Sequence, residues 1–349
     1  MLCNKVKLLG VFLLVIGFHV SCQDRKNVLD GKIVVSFENV TSLENIESLY
    51  RVRLDENSIT FPGMVHKMAC LNDTIYVLDV QKAPGLYVYD GDGTLLYAYD
   101  CVGEGPWEFN SLIDFQVNDA SIYLLDNAGR KVLELDKSGK CIASEPIPEL
   151  AYSFVNGDNG ITYFDTGNST AFNNSKLISV EGENTSTILT VPNAIENITI
   201  SPTNTLVYNH GSVFYLPALE NVIHECKDGQ VVKTFEVDFG DYWPDESFWN
   251  ENKGRHPLML FRSMEESSYI RELNFLMDDE IIHLNFMQGN SFFLFFYNMK
   301  SGKHNLYIDK NKDFHRPCAL SQGKLYVMQE DETFDISVYK LNLQTLRFE

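Results

Sequence analysis

Hydrophobic and polar positions along the chain repeat in one order. A short apolar strand is followed by a turn, a strand of the type I-Y-V-L-D, a second turn, a strand of the type L-Y-V-Y-D, a Gly-containing turn and a last strand. The first clear copy occupies residues 71–99, with Ile75 to Asp79 as its second strand and Gly91 and Gly93 in its last turn. Residues 117–143 align with it almost position for position. Weaker copies follow at 155–180, 211–237, 278–308 and 321–348. The anchor residues Ile75, Ile122, Ile161, Val213, Ile281 and Leu325 lie 39 to 68 residues apart. That spacing suits four-stranded propeller blades with loops of varied length. Strand centres are apolar at consecutive positions, as expected when both faces of each sheet are covered. The glycines in the turns supply the positive φ that tight hairpins need. The pattern predicts an all-β chain: a six-bladed β-propeller with four-stranded blades.

One blade cannot bury both of its faces alone, so the stack has to continue until it closes on itself. Two segments suit the outer slot of the last blade: residues 50–54, which would lock the N-terminal end onto the C-terminal one, and residues 346–348. Upstream, residues 27–56 are polar and mixed, with strand-like pieces at 32–37 and 49–54. Between the fourth and fifth copies lies a long connection, residues 239–273. Apolar spacing over 258–273 is helical and predicts a partly helical insertion that covers one face.

The first residues read as a processing signal. Lys5 and Lys7 precede an apolar run, residues 8–18, that is too short to span a bilayer. It ends at His19-Val20-Ser21-Cys22, which resembles the lipobox of bacterial lipoproteins. His19 stands where Leu is usual, and Val20 is bulkier than the small residue expected. The resemblance implies cleavage before Cys22 and a diacylglyceryl group on its thiol. A secreted chain with an unmodified Cys22 is the alternative. The expected organisation is a lipoprotein signal at 1–22, a tether and N-terminal segment at 23–48, and the propeller at 49–349.

Composition changes this picture in two places. The formal net charge is −20, with 28 basic against 48 acidic residues. Such a field repels a phosphate backbone and argues against nucleic acid as a partner. Of the seven cysteines, Cys3 and Cys22 belong to the leader. The remainder, Cys70, Cys101, Cys141, Cys226 and Cys318, have no CxxC or Cys/His spacing, so no zinc or other metal site is expected. They fit small apolar core residues, with one disulfide open to an exported chain.

Residues 103–109 read Gly-Glu-Gly-Pro-Trp-Glu-Phe. This element resembles the G-x-G-P-x-E-F link of six-bladed, NHL-like β-propeller lipoproteins of Bacteroidota, with Trp107 where Gly is common. The resemblance implies that Gly and Pro shape the passage between blades and that Phe109 packs inward. It implies an architecture more than an activity.

Candidate chemistry is sparse. There is no GxSxG, P-loop, HExxH or EF-hand pattern. Glu330-Asp331-Glu332 lacks the alternation and Gly of a calcium loop and reads as a solvated turn. Glu104, Trp107 and Glu108 combine an aromatic face with two carboxylates, suited to a sugar or a cation. They equally suit a turn whose Trp covers a blade edge. The insertion offers Tyr242, Trp243 and Trp249 as a binding element, or as packing on the rim. His66 and His210 precede strands near the channel; lone histidines of this kind are more often structural. The expected function is an exported, lipid-anchored binding or interaction module of the cell envelope, periplasmic or surface-exposed, for a glycan, peptide or envelope protein. The alternative is a propeller enzyme of lyase, lactonase or hydrolase type with an acidic or metal site at the channel mouth. Which cofactor, if any, serves the chain is left open by the sequence.

Overall fold

The alternation described above folds, in a computed structural model, into antiparallel meanders. Residues 31–44, 46–55, 61–169, 174–198, 204–311, 313–314, 316–329 and 334–349 are described. The leader, Cys22, the first part of the tether, His315 and Glu330 to Glu332 lie outside them.

In the first blade the strands Lys67–Leu71, Thr74–Asp79, Gly85–Tyr89 and Leu95–Tyr99 pair in chain order. The first turn places Asn72 and Asp73 at φ of 51° and 57°, the pair of left-handed residues that a tight hairpin of this hand requires. Five further sheets repeat the plan, with first strands Leu112–Val117, Ser153–Asn156, Leu206–Asn209, Ile270–Asp278 and Pro317–Ser321. Each of these first strands touches the first strands of the blades before and after it, and the sixth touches the first. The ring is therefore closed, with the first strands around a central channel: a six-bladed β-propeller.

The apolar side chains explain the closure. Ile75 and Val77 point to the sixth blade, packing with Val52, Tyr326 and Val338. Their neighbours Tyr76 and Leu78 point the other way, packing with Phe115, Leu124 and Leu133 of the second blade. Successive residues of one strand thus serve two different interfaces, which is why the strand is apolar throughout. Each such side chain contributes roughly 1.5–3 kcal/mol on burial, and none of that is available to a blade without neighbours.

The N-terminal segment does more than tether. Gly31–Val34 adds a parallel fifth strand outside blade four, against residues 235–238. Val40–Ser42 does the same outside blade five. Tyr50–Arg53 then supplies the outer strand of blade six, antiparallel to residues 335–338. Its register is pinned by Arg53, whose Nε and Nη2 donate to the two carboxylate oxygens of Asp335 at 3.0 and 3.4 Å. The competition for that slot is settled by sharing: Arg347–Phe348 pairs with the following residues of the same strand, 341–342. Gly93, at φ 88°, lies against this closing strand, where a Cβ would fall 2.1 Å from the Arg53 carbonyl oxygen.

The insertion between blades four and five is partly helical, as expected, but its helices fall earlier. They are α1, Glu246–Asn252, and α2, Pro257–Glu266. Asp245 caps α1 by accepting from the Phe248 N–H at 2.9 Å. Ser268, at φ 58°, turns the chain out of α2, so residues 270–273 begin the inner strand of blade five rather than extend a helix. No helix among the described residues is long and apolar enough to cross a membrane.

Candidate functional site

The linkers that enter the inner strands lie on one face of the ring, and in blades one and two the last residue of the second strand holds them. Asp79 is fully buried and accepts from the backbone N–H groups of Gly63, Met64, Gln81, Lys82 and Ala83 at 2.7–3.0 Å. Asp126 repeats the role in blade two, accepting from Asn110, Ser111 and Gly129. The Asp of the I-Y-V-L-D motif is therefore a clamp that sets the channel mouth. Burial alone would raise the Asp79 carboxyl; the converging N–H dipoles outweigh it and hold it below the usual carboxylate range.

Blade five breaks the symmetry at this mouth. Its first three strands, Ile270–Asp278, Ile281–Gln288 and Ser291–Asn298, have nine, eight and eight residues. The facing strands of blade six, Pro317–Ser321 and Lys324–Met328, have five each. Blade five consequently stands above its neighbour. One side of the overhang packs Phe275, Phe286 and Phe293 against Phe37, Phe239 and Trp243. The other side, which blade six is too short to cover, bounds a cavity of about 470 Å³.

Blade five contributes Glu272, Asn274, Leu276, Asn285, Met287, Asn290 and Phe292 to this cavity. Blade one and the sixth-blade linker supply His66, Lys67 and Arg316 on the opposite side, with Met64, Met68 and Cys318 between. Asn274 and Asn285 are cross-strand partners. Asn285 is 3% exposed, and its Oδ1 has no hydrogen-bond partner. A buried acceptor left unpaired costs free energy. Lys67 donates to Asp114 Oδ1 at 2.5 Å, and Asp114 Oδ2 accepts from the Ser153 hydroxyl and the Phe154 N–H. Arg316 donates to the Val65 carbonyl at 3.1 Å. Burial lowers the pKa of His66, favouring the neutral ring. Below the mouth the channel narrows between the inner strands, lined by Cys70, Phe115, Tyr208 and Met277 among others.

Of the candidate binding residues named from the sequence, His66 alone is among those lining the mouth. Glu104, Trp107 and Glu108 stay in the link after blade one. There Glu108 accepts from the Gly105 N–H at 2.8 Å, the Tyr99 hydroxyl donates to the Trp107 carbonyl, and Phe109 is fully buried. The carboxylate that looked available for a ligand closes its own loop; Trp107 remains about half exposed. Tyr242 packs edge-on against Phe37, and Trp243 stacks on Phe239 at 5.6 Å. Trp249 is buried with Phe248, Leu260 and Met264 beneath the insertion. His210 sits in the hairpin at the other end of the channel and pairs with Asp279 at 2.9 Å, with both side chains mostly in water. Such a pair contributes little.

Further buried polar groups lie outside the lining of this cavity. His283 stacks on Phe296 and bonds the Phe295 carbonyl, and burial lowers it to about 3. His224 is lowered to about 4 by the same cause. Lys176 is buried on Glu220, near Asp165 and Tyr215 at the seam of blades three and four. Among the described residues no group of three or more His, Cys, Asp or Glu side chains is placed to hold a metal ion.

Sequence reasoning missed Asn274, Asn285, Met287 and Arg316. The one signal available was polar Asn inside runs that are otherwise apolar, as in Ile281–Gln288. Strand lengths relative to the neighbouring blade were not visible in the repeat.

A family profile described as "Domain of unknown function (DUF4934)" matches residues 35–341. No curated protein matches the chain. Among solved structures, a Bacteroides fragilis protein described as a "putative exported protein" is 15% identical, with a TM-score of 0.69 over 84% of this chain and 87% of that one. A member of the DUF4221 family from Bacteroides vulgatus is 9% identical, with a TM-score of 0.59 over 83% and 96%. At these identities the likeness is one of fold.

Proposed function

The chain belongs to the family described as Domain of unknown function (DUF4934), and from that premise we propose that it is an exported, lipid-anchored, NHL-like propeller that binds a small ligand in the mouth of its channel. The observation that carries the binding reading is that Asn285, whose buried Oδ1 has no hydrogen-bond partner, is one of the residues lining a cavity of about 470 Å³. Pockets of this size are typical of small-molecule sites, and this one is lined by apolar and polar side chains alike. A binding role accounts for these residues more simply than a hydrolytic or lyase role. Lys67 is paired with Asp114.

Asn285→Leu tests the site directly. Leu has nearly the shape of Asn and removes the orphaned acceptor. The variant should be more stable than the parent by about 1 kcal/mol, read from its urea midpoint, while losing ligand binding. Ordinary destabilisation with binding retained would remove Asn285 from the site.

The anchor rests on the leader, the His19–Cys22 segment and the description of the Bacteroides fragilis structure. Cys22→Ser should move the chain from the membrane fraction to the soluble fraction after cell lysis. Membrane association unchanged by this substitution would rule out the Cys22 lipid.

A further inference from the structure

We propose that Cys70 and Cys318 form a disulfide that joins the first blade to the last at the channel, a covalent modification site that goes beyond the binding reading and does not rest on it. Cys70 lies in the inner strand of blade one and Cys318 in that of blade six. These two strands run side by side, with Cα atoms within 8 Å of each other at several positions. Both cysteines pack into the same apolar cluster between the two blades, beside Met68, Ala319 and Tyr326. Both also line the same stretch of channel. The Cys318 thiol is close enough to act on the Cys70 thiol, pushing it further up after burial has raised it. No other described cysteines are placed this way. Cys226 is buried at the seam of blades three and four, with no second cysteine in its cluster. Cys101 is exposed in the link after blade one, and Cys141 feels it less than it feels Lys131.

Forming the bond breaks two S–H bonds and makes one S–S bond. The two electrons and two protons pass to the disulfide of an oxidoreductase or of an oxidised small thiol, which leaves as two thiols. The weak hydrogen bond that the Cys318 Sγ donates to the Arg316 carbonyl, at 3.2 Å, is given up. Burial raises both thiols, so little thiolate is present once the blades have met. The exchange therefore belongs to folding, before the seam is shut. Tyr50–Arg53 fastens blade six at the rim; the cysteine pair fastens the same seam at the centre. A bond between residues 70 and 318 closes a loop that runs round the ring from the first blade to the sixth. A cross-link over so long a loop removes much of the unfolded chain's freedom. Cys318 also lines the mouth, so the bond holds the wall between blades one and six in place.

The experiment is a non-reducing peptide map. The chain from Gln23, which carries every described residue, is produced behind a signal that exports it to an oxidising compartment, so the result does not depend on its own leader. Free thiols are alkylated in denaturant, the protein is digested without reductant, and linked peptides are read by mass spectrometry. The expected result is a linked pair, Cys70 with Cys318, with Cys101, Cys141 and Cys226 alkylated. The reduced protein should melt at least about 4 °C below the oxidised one. The double variant Cys70→Ala, Cys318→Ala should melt at the same temperature with and without reductant. If that variant is unfolded, the peptide map of the parent decides alone. Alkylation of both Cys70 and Cys318 overturns the inference, as does either of them linked to a different cysteine or a Cys101–Cys141 bond in their place. A linked pair whose reduction leaves the melt unmoved overturns its role in holding the seam. None of these results bears on the mouth, which Asn285→Leu tests through ligand binding.

Discussion

Asp79→Ala should lower stability by about 3–5 kcal/mol, the largest loss expected from any single side chain outside the apolar core. The carboxylate accepts five backbone N–H groups at 2.7–3.0 Å. Alanine leaves those donors without their acceptor, and each buried, unpaired donor costs about 1–3 kcal/mol. The loop regains some of this by admitting water, so the sum is well below five full penalties. Urea midpoints of parent and variant read the loss. A shift smaller than about 1 kcal/mol would show that the linkers hold themselves and that Asp79 is no clamp. Two of the donors, Gly63 and Met64, precede the mouth residues Val65 to Met68, so the variant should also weaken ligand binding.

The same carboxylate predicts a pH dependence. Burial raises its pKa and the five donors more than reverse this, leaving it depressed in the folded chain. A depressed carboxyl contributes stability that is complete above the unfolded value, about 3.9, and is lost as pH falls through the folded value. The parent should therefore lose stability on acidification below about pH 4. Asp79→Asn, already weakened at neutral pH, should lose less over that interval. Parallel unfolding curves of the two proteins down the acid range would contradict the assignment.

Removing the closing strand should be as damaging. A chain beginning at Phe61 lacks Tyr50–Arg53, and with it Val52 and Leu54, each nearly fully buried between blades six and one. The strand Asp335–Asn342 would then present an unpaired edge along residues 335–338, and Tyr326, Ile336 and Val338 would lose part of their cover. Open, apolar edges of this kind pair with other chains. The truncated protein should aggregate or fail to give a cooperative melt, measured by light scattering and circular dichroism. A chain beginning at residue 46 keeps the closing strand and loses only the strands outside blades four and five; it should remain monomeric with a smaller loss. In the full chain, Val52→Asp buries a carboxylate without a partner and should cost about 3–5 kcal/mol. A monomeric, cooperatively melting chain from Phe61 would place the closure elsewhere in the ring.

The architecture was legible because its causes are local. Ile75 to Asp79 and Ile122 to Asp126 carry their strand signal, their turn and their two-sided burial within a few residues. Repeating that unit leaves two bare faces per blade, and only closure removes them. In the passage 103–109 Phe109 is buried as expected, and the bond from the Gly105 N–H to Glu108 fits the turn that stood as the alternative reading. Whether Glu108 meets a ligand or the Gly105 N–H depends on a loop path that residue types do not specify. The helical spacing near 258–273 identified the insertion but not its bounds, because Ser268 ends α2 through a backbone angle rather than through a breaker residue.

By itself, then, the order of residues determined the blade, its repetition and the need for a ring, since each follows from alternation and turn chemistry over short stretches. The tertiary structure alone decided where the mouth opens and what lines it. Asn285 and Arg316 are 31 residues apart in the chain and line one mouth where blade five outgrows blade six. A difference in height between two neighbours belongs to their packing, and neither strand carries it alone. The rim strands at 31–34 and 40–42 and the shared outer slot of blade six are non-local in the same way. Backbone edges accept whichever segment the finished ring brings alongside, and side-chain pattern says little about which one arrives.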